Sequence, residues 1–143
     1  MVNHGVDPAL IDAIFEMSKR FHALPLPAKQ AIALNSAHRG YIAINTSTDV
    51  TTDLAEVTKP NQSASFMMMR EDAVVDADVY LSGPNQWPDL EGFRETCEAY
   101  AAAMTGLGQA LMRLALQAMG ATDKAILRAF DDTVWIVQLA GFL

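Results

Sequence analysis

A single cysteine, Cys97, stands in the 143-residue chain. One thiol cannot build an internal disulfide framework, and such sparing use suits a reducing, cytoplasmic setting. Positive charge is scarce as well: 10 Lys and Arg face 17 Asp and Glu, for a net charge of −7. That balance excludes the basic footprint that nucleic acid or an anionic membrane surface would require. Long hydrophobic runs are missing too. The longest nearly uncharged one, Val134 to Leu143, is far too short to span a bilayer. The opening Met-Val-Asn-His-Gly-Val-Asp-Pro has neither a basic n-region nor an apolar h-region, so no secretory signal is readable. No repeat or low-complexity segment occurs. What is present is 51% hydrophobic and 19% charged residues, the composition of one globular domain with a modest core.

Catalytic signatures are equally sparse. The three histidines, His4, His22 and His38, are scattered, with no His-x-Asp, His-x-Glu or His-Glu-x-x-His among them. A two-His-one-carboxylate iron site needs its ligands on one rigid face with open coordination positions, and no such set is readable. His4 fits a strand-end hydrogen-bonding role, His22 a cation at a helix C-terminus, and His38 a loop. Cys97 falls on an apolar stripe, which favours burial over reactivity. The serines lack a glycine elbow and no glycine loop cradles phosphate. The acidic clusters Glu71-Asp72, Asp76-Ala77-Asp78 and Asp131-Asp132 read as solvated surface.

The elements are clearest at the two ends. Asp7-Pro8 is an N-cap acceptor followed by proline, and Leu10, Ile14, Met17 and Phe21 recur on one helical face. Pro25 and Pro27 stop that helix, and Pro27 opens a shorter one through Leu34. Residues 35–38 read as loop and Arg39 to Ile44 as a strand. Asn45 to Asp53 is polar and reads as an exposed connection. Residues 54–82 show no single period and stay open between helix and strand, with Phe66 to Met69 as a buried-strand candidate. Phe93, Cys97, Tyr100, Met104, Leu107, Leu111, Leu114 and Ala118 alternate steps of four and three, which predicts one long helix over about 89–119. Gly120 suits its C-cap and Thr122 to Phe130 a further short helix. Thr133 to Leu139 is β-branched and aromatic, a strand with no neighbour following it. The expected fold is α+β and mainly helical: two short N-terminal helices, a few short strands, one long helix and an orphan C-terminal strand.

The segment ahead of the long helix, Gly83-Pro84-Asn85-Gln86-Trp87-Pro88, is a rigid turn. Its prolines fix the backbone, and Trp87, expected to be buried, serves with Phe93 as its apolar anchor. Together with Asn3-His4-Gly5-Val6, Phe21-x-x-Leu24-Pro25-x-x-x-Lys29, Arg39-Gly40-Tyr41 and Asp53-Leu54-x-Glu56, in that order, it resembles one family. This is the N-terminal domain of the isopenicillin N synthase-like 2-oxoglutarate/Fe(II) oxygenases.

The resemblance implies a domain over residues 1–131, with 132–143 as the start of a missing barrel or a diverged tail. It implies Fe(II) and 2-oxoglutarate for the full-length family, and neither in this chain, since His-x-Asp, a second His and Arg-x-Ser belong to the absent barrel. The function implied is that of a truncated N-terminal part of an oxidoreductase, supporting the barrel and bordering the substrate entrance, inactive alone. Arg39 and Tyr41 are then the candidates for facing that entrance. The bland alternatives are a surface ion pair for Arg39 and a half-buried strand aromatic for Tyr41. A second class stays open, a non-catalytic helical binding or assembly module. In either class the apolar tail, residues 133–143, is expected to recruit a second copy or another polypeptide.

Overall fold

The computed structural model describes residues 4–46, 51–52, 55–56, 62–71, 75–76, 78–123, 126 and 128–142. The chain forms two compact units, residues 1–17 with 91–135 and residues 18–90 with 136–143.

Helix α1, Pro8–His22, starts where Asp7 precedes proline. The Asp7 carboxylate accepts the Ala9 N–H at 2.9 Å, and its carbonyl accepts from Leu10 and Ile11. Ile14 and Phe21, from the expected apolar face, are buried. After Pro25, α2 spans only Leu26–Gln30. It stops short of Leu34 because the next residues pair elsewhere: Tyr41 donates to the Ile32 carbonyl at 2.7 Å, and Leu34 donates to Tyr41 at 2.9 Å.

In the first unit, α3 spans Phe93–Ala118. Val6, Ile14, Phe93, Cys97, Ala101 and Leu116 are its buried apolar residues. The helix ends in a Schellman arrangement, with Ala121 N–H to Leu116 O and Gly120 N–H to Gln117 O, and Gly120 at φ +73° supplies the left-handed residue this needs. The predicted stripe is buried only at its start. Met104, Leu111 and Leu114 are exposed, Leu114 by 61%. The short helix expected at 122–130 falls partly outside the described residues.

The second unit holds a three-stranded antiparallel sheet in the order β1-β4-β5. Its strands are β1, Gly40–Ile42, β4, Ser63–Met69, and β5, Ile136–Phe142. Between β1 and β4 in sequence, β2 (Thr51–Thr52) and β3 (Ala55–Glu56) pair with each other. Thr51 and Thr52 thus form strand where an irregular connection is expected from polarity alone. The open stretch 54–82 contains the central strand β4. Its seven residues pair with β5 from Ser63↔Phe142 to Met69↔Ile136, and three pair with β1. The C-terminal strand, expected without a neighbour, therefore finds one upstream in sequence, and it starts three residues later than Thr133. On one sheet face Phe66, Met68 and Leu139 are buried, and Phe21 lies against them with its ring 5.2 Å from that of Phe66. The resulting aromatic cluster continues to Tyr41 at 6.1 Å from Phe21 and to Trp87 at 5.9 Å from Phe66. Trp87 itself is half-buried rather than enclosed.

Candidate functional site

The residues singled out by resemblance gather around β1. Asn35 shapes the approach to that strand: its side-chain oxygen accepts the N–H groups of Ala37 at 3.0 Å and Arg39 at 3.1 Å, closing a turn in which His38 takes φ +58°. Arg39 follows and is 2% exposed. Its guanidinium donates to the carbonyls of Ala37, Leu81 and Arg70. The fork geometry of arginine suits this, since one side chain satisfies acceptors from three separate segments. Arg39 is thus an internal clamp rather than a surface ion-pair residue.

Gly40 and Tyr41 come next. Gly40, at φ +113°, lets the backbone pass beside the Ile32 carbonyl, where a Cβ would collide. Tyr41 is 5% exposed, and Lys29 Nζ lies 5.7 Å from its ring centroid while donating to the His22 carbonyl at 2.7 Å. The Lys29 head satisfies a C-terminal carbonyl of α1 and covers the tyrosine face together. Tyr41 also lines an open groove of about 580 Å³ with Gln30, Leu34, His38, Ile42 and Thr46. Its wall mixes apolar side chains with a phenol, an imidazole, an amide and a hydroxyl, a lining suited to holding a small polar-edged molecule or bordering one.

Two residues of the turn, Asn85 and Gln86, matter more than the sequence reveals. Asn85 pairs with the backbone of Met69 in both directions, accepting at 3.0 Å and donating at 2.8 Å, so its amide extends the β4 ladder by one step. Its own N–H is taken by the Glu71 carboxylate. Gln86 Nε2 donates to the carbonyls of Ala33 at 2.8 Å and Arg39 at 2.7 Å. The run Asn85-Gln86-Trp87 thus docks on β4, on the β1 approach and on Phe66 in turn. Only its Pro-Asn-Gln-Trp spelling signals this, because the partners lie far off in sequence.

The other candidates separate by burial. His22 bonds through Nε2 to the Leu139 carbonyl at 3.1 Å, and burial pushes its pKa down, with Lys29 adding to that and the carbonyl bond opposing it. It joins α1 to β5, and burial disfavours the charged ring that its helix-end position suggests. His4 accepts the Val6 N–H through Nδ1 at 3.2 Å. Cys97 is fully buried, and burial first, then Glu98, pushes its thiol up to about 12. Phe93 is fully buried at the start of α3. In its own unit, α3 and residues His4 to Leu10 flank an apolar groove of about 470 Å³.

With this geometry in hand, comparison with known proteins gives a consistent answer. The family model for the N-terminal region of the non-haem dioxygenase in morphine synthesis matches residues 1–90. The chain belongs to this non-haem dioxygenase N-terminal family. It is 25% identical over 146 residues to homoarginine-6-hydroxylase 2-ODD-C23.1 of Arabidopsis thaliana, covering 99% of this chain and 43% of that protein. It is 32% identical over 120 residues to the 2-oxoglutarate-Fe(II) type oxidoreductase hxnY of Emericella nidulans, covering 76% and 33%. Among solved structures, a full-length Neurospora crassa protein in complex with alpha-KG superposes with a TM-score of 0.64 at 27% identity, over 82% of this chain and 36% of that one. JOX2 in complex with 2OG, Fe and JA shares the fold, with a TM-score of 0.69 at 20% identity over 96% and 38%. The chain therefore spans less than half the length of the curated relatives it matches.

The iron that relatives of this kind use does not fit the residues described. Among them no group of three or more His, Cys, Asp and Glu side chains could hold a metal ion. His22 already holds Leu139, and the thiol of Cys97, raised to about 12, stays protonated and is a poor metal ligand. Among the described residues no helix is long and apolar enough to cross a membrane.

Proposed function

We propose that this chain acts as the N-terminal domain of a 2-oxoglutarate/Fe(II)-dependent oxidoreductase, supporting a catalytic barrel and bordering its substrate entrance, without turnover of its own. The observation that carries the reading is the family match over residues 1–90, read with the absence of a metal-ligand cluster among the described residues. Within this role Tyr41 borders the entrance from the 580 Å³ groove, and Arg39 acts through it, as a positioning residue that fixes the strand carrying the phenol. Trp87 and Phe93 serve as structural anchors of the turn and of α3. Residues 1–131 form the domain proper, and 132–143 lead toward the barrel; the similarity to the Arabidopsis relative extends over 99% of the chain, which supports this. A cytoplasmic location agrees with the single, buried cysteine.

The test is an anaerobic titration of the pure chain with Fe(II) and 2-oxoglutarate, followed by admission of O₂. No metal-to-ligand charge-transfer band and no succinate are expected, because among the described residues no cluster supplies the ligands of the open-coordination site that this chemistry needs. Stoichiometric succinate would overturn the reading. The residues admit a second one, a non-catalytic binding module, favoured by the exposed Leu111, Leu114 and Met119 on and after α3. A reading frame beyond residue 143 that encodes His-x-Asp and Arg-x-Ser would decide for the first.

A further inference from the structure

Strand β5 is bordered by β4 along all seven of its residues, and among the described residues no strand borders its other side. Open edges in stable proteins are blunted by lysine, proline, a bulge or a covering segment. The sequence of β5, Ile-Val-Gln-Leu-Ala-Gly-Phe, has no lysine, no proline and no charge of either sign. Its pairing with β4 is continuous, without a bulge, so the outer row of backbone groups is held straight and ready to pair. On the face away from Phe21, Ile136 is 56% and Phe142 83% exposed. Two large apolar side chains thus stand in water on an edge that no described strand borders.

We propose that in the 143-residue chain this edge pairs with β5 of a second copy, antiparallel, about a twofold axis through Leu139. The self-complementarity of the strand argues for that occupant. Leu139 is the midpoint of Ile136–Phe142, so this axis aligns the whole strand. It sets Ile136 opposite Phe142 of the second copy, and Phe142 opposite Ile136, burying both exposed apolar side chains twice over. Val137 meets Gly141, where the missing side chain leaves room, and Gln138 meets the small Ala140. Moving the axis one residue, to Ala140, would shorten the pairing and set Phe142 against Gln138. Charge agrees with the choice. Each copy has a net charge of −7, and the two meet on a strip that bears none, whereas a basic partner would find no carboxylate on it. Such an isologous contact closes after two copies and joins their three-stranded sheets into one of six strands. The inference concerns the 143-residue chain by itself and does not extend to a longer protein in which a barrel follows β5.

The experiment is sedimentation equilibrium of the intact chain at micromolar concentration, with two double variants at the exposed positions. The parent should be a dimer. Ile136→Lys with Phe142→Glu places opposite charges across both cross-strand pairs and should stay dimeric, whereas Ile136→Lys with Phe142→Lys places like charges there and should be monomeric. Hydrogen exchange on the parent provides a reading free of substitutions: the alternate amides of residues 136–142 that face away from β4 should gain protection as the chain is concentrated. A monomeric parent, or one that associates only with a different polypeptide, overturns the proposal. So do variants that behave alike, since two monomers would mean unspecific apolar contact and two dimers an interface elsewhere. Protection that does not change with concentration overturns it as well.

Discussion

His22 couples the chemistry of one side chain to the stability of the second unit. Its ring lies against Phe21, and Nε2 meets the Leu139 carbonyl, with the Lys29 ammonium nearby. Burial lowers its folded-state pKa below the ordinary 6.5. Well above pH 6.5 neither the folded nor the unfolded chain binds this proton, and the contribution of His22 to stability is fully present. As pH falls below that value the unfolded chain takes up the proton while the folded one resists, so stability declines until the folded pKa is passed and the loss levels off. Urea midpoints measured from about pH 8 down to about pH 5 should therefore fall more steeply for the parent than for His22→Gln, which lacks the titrating ring. Parallel curves would mean that the imidazole is as well solvated in the folded chain as in the unfolded one.

The turn of residues 83–88 shows how an element without periodic structure can organise periodic ones. Asn85 replaces a missing strand residue at the end of β4, and Gln86 bridges two carbonyls on either side of the β1 approach. Asn85→Ala leaves both the N–H and the carbonyl of the buried Met69 without this partner, and should lower stability by about 1–3 kcal/mol. Asn85→Asp should do no better, because a carboxylate keeps the acceptor but turns the donor into a second acceptor against the Met69 carbonyl. Denaturant midpoints for the two variants check this, and an Asp variant as stable as the parent would show that the donated bond is dispensable. These contacts were illegible in the sequence for the same reason that they are strong: single side chains reach 16 and 47 residues away, and no period records that. Helices α1 and α3 were legible because apolar residues recur along one face every three or four positions. Strand β4 was legible only in part, as the buried-strand candidate Phe66 to Met69, because a central strand flanked on both edges, with Phe66, Met68 and Met69 all buried, loses the alternation that marks a half-buried one. At the candidate site, resemblance pointed to Arg39 and Tyr41, but the burial of the guanidinium and the Lys29 head over the phenol ring needed the fold.

At the scale of the whole molecule, charge and apolar exposure oppose each other. A net charge of −7 keeps copies apart at long range. The edge of β5 that no described strand borders, with its two exposed apolar side chains, favours their meeting at short range. The two effects respond differently to salt. Repulsion between like-charged copies acts over roughly 30 Å at about 0.01 M ionic strength and only about 8 Å at about 0.15 M. The β5 contact involves backbone hydrogen bonds and apolar area, with no ion pair to be weakened, since residues 136–142 are uncharged. Dimerisation should therefore tighten as salt is added across that range, by several-fold and without a change in stoichiometry. Sedimentation equilibrium in a series of sodium chloride concentrations reads this directly. An association that weakens with salt would place the contact on complementary charges instead, on surfaces such as the one that carries Arg94 and Glu98, and away from the uncharged strand.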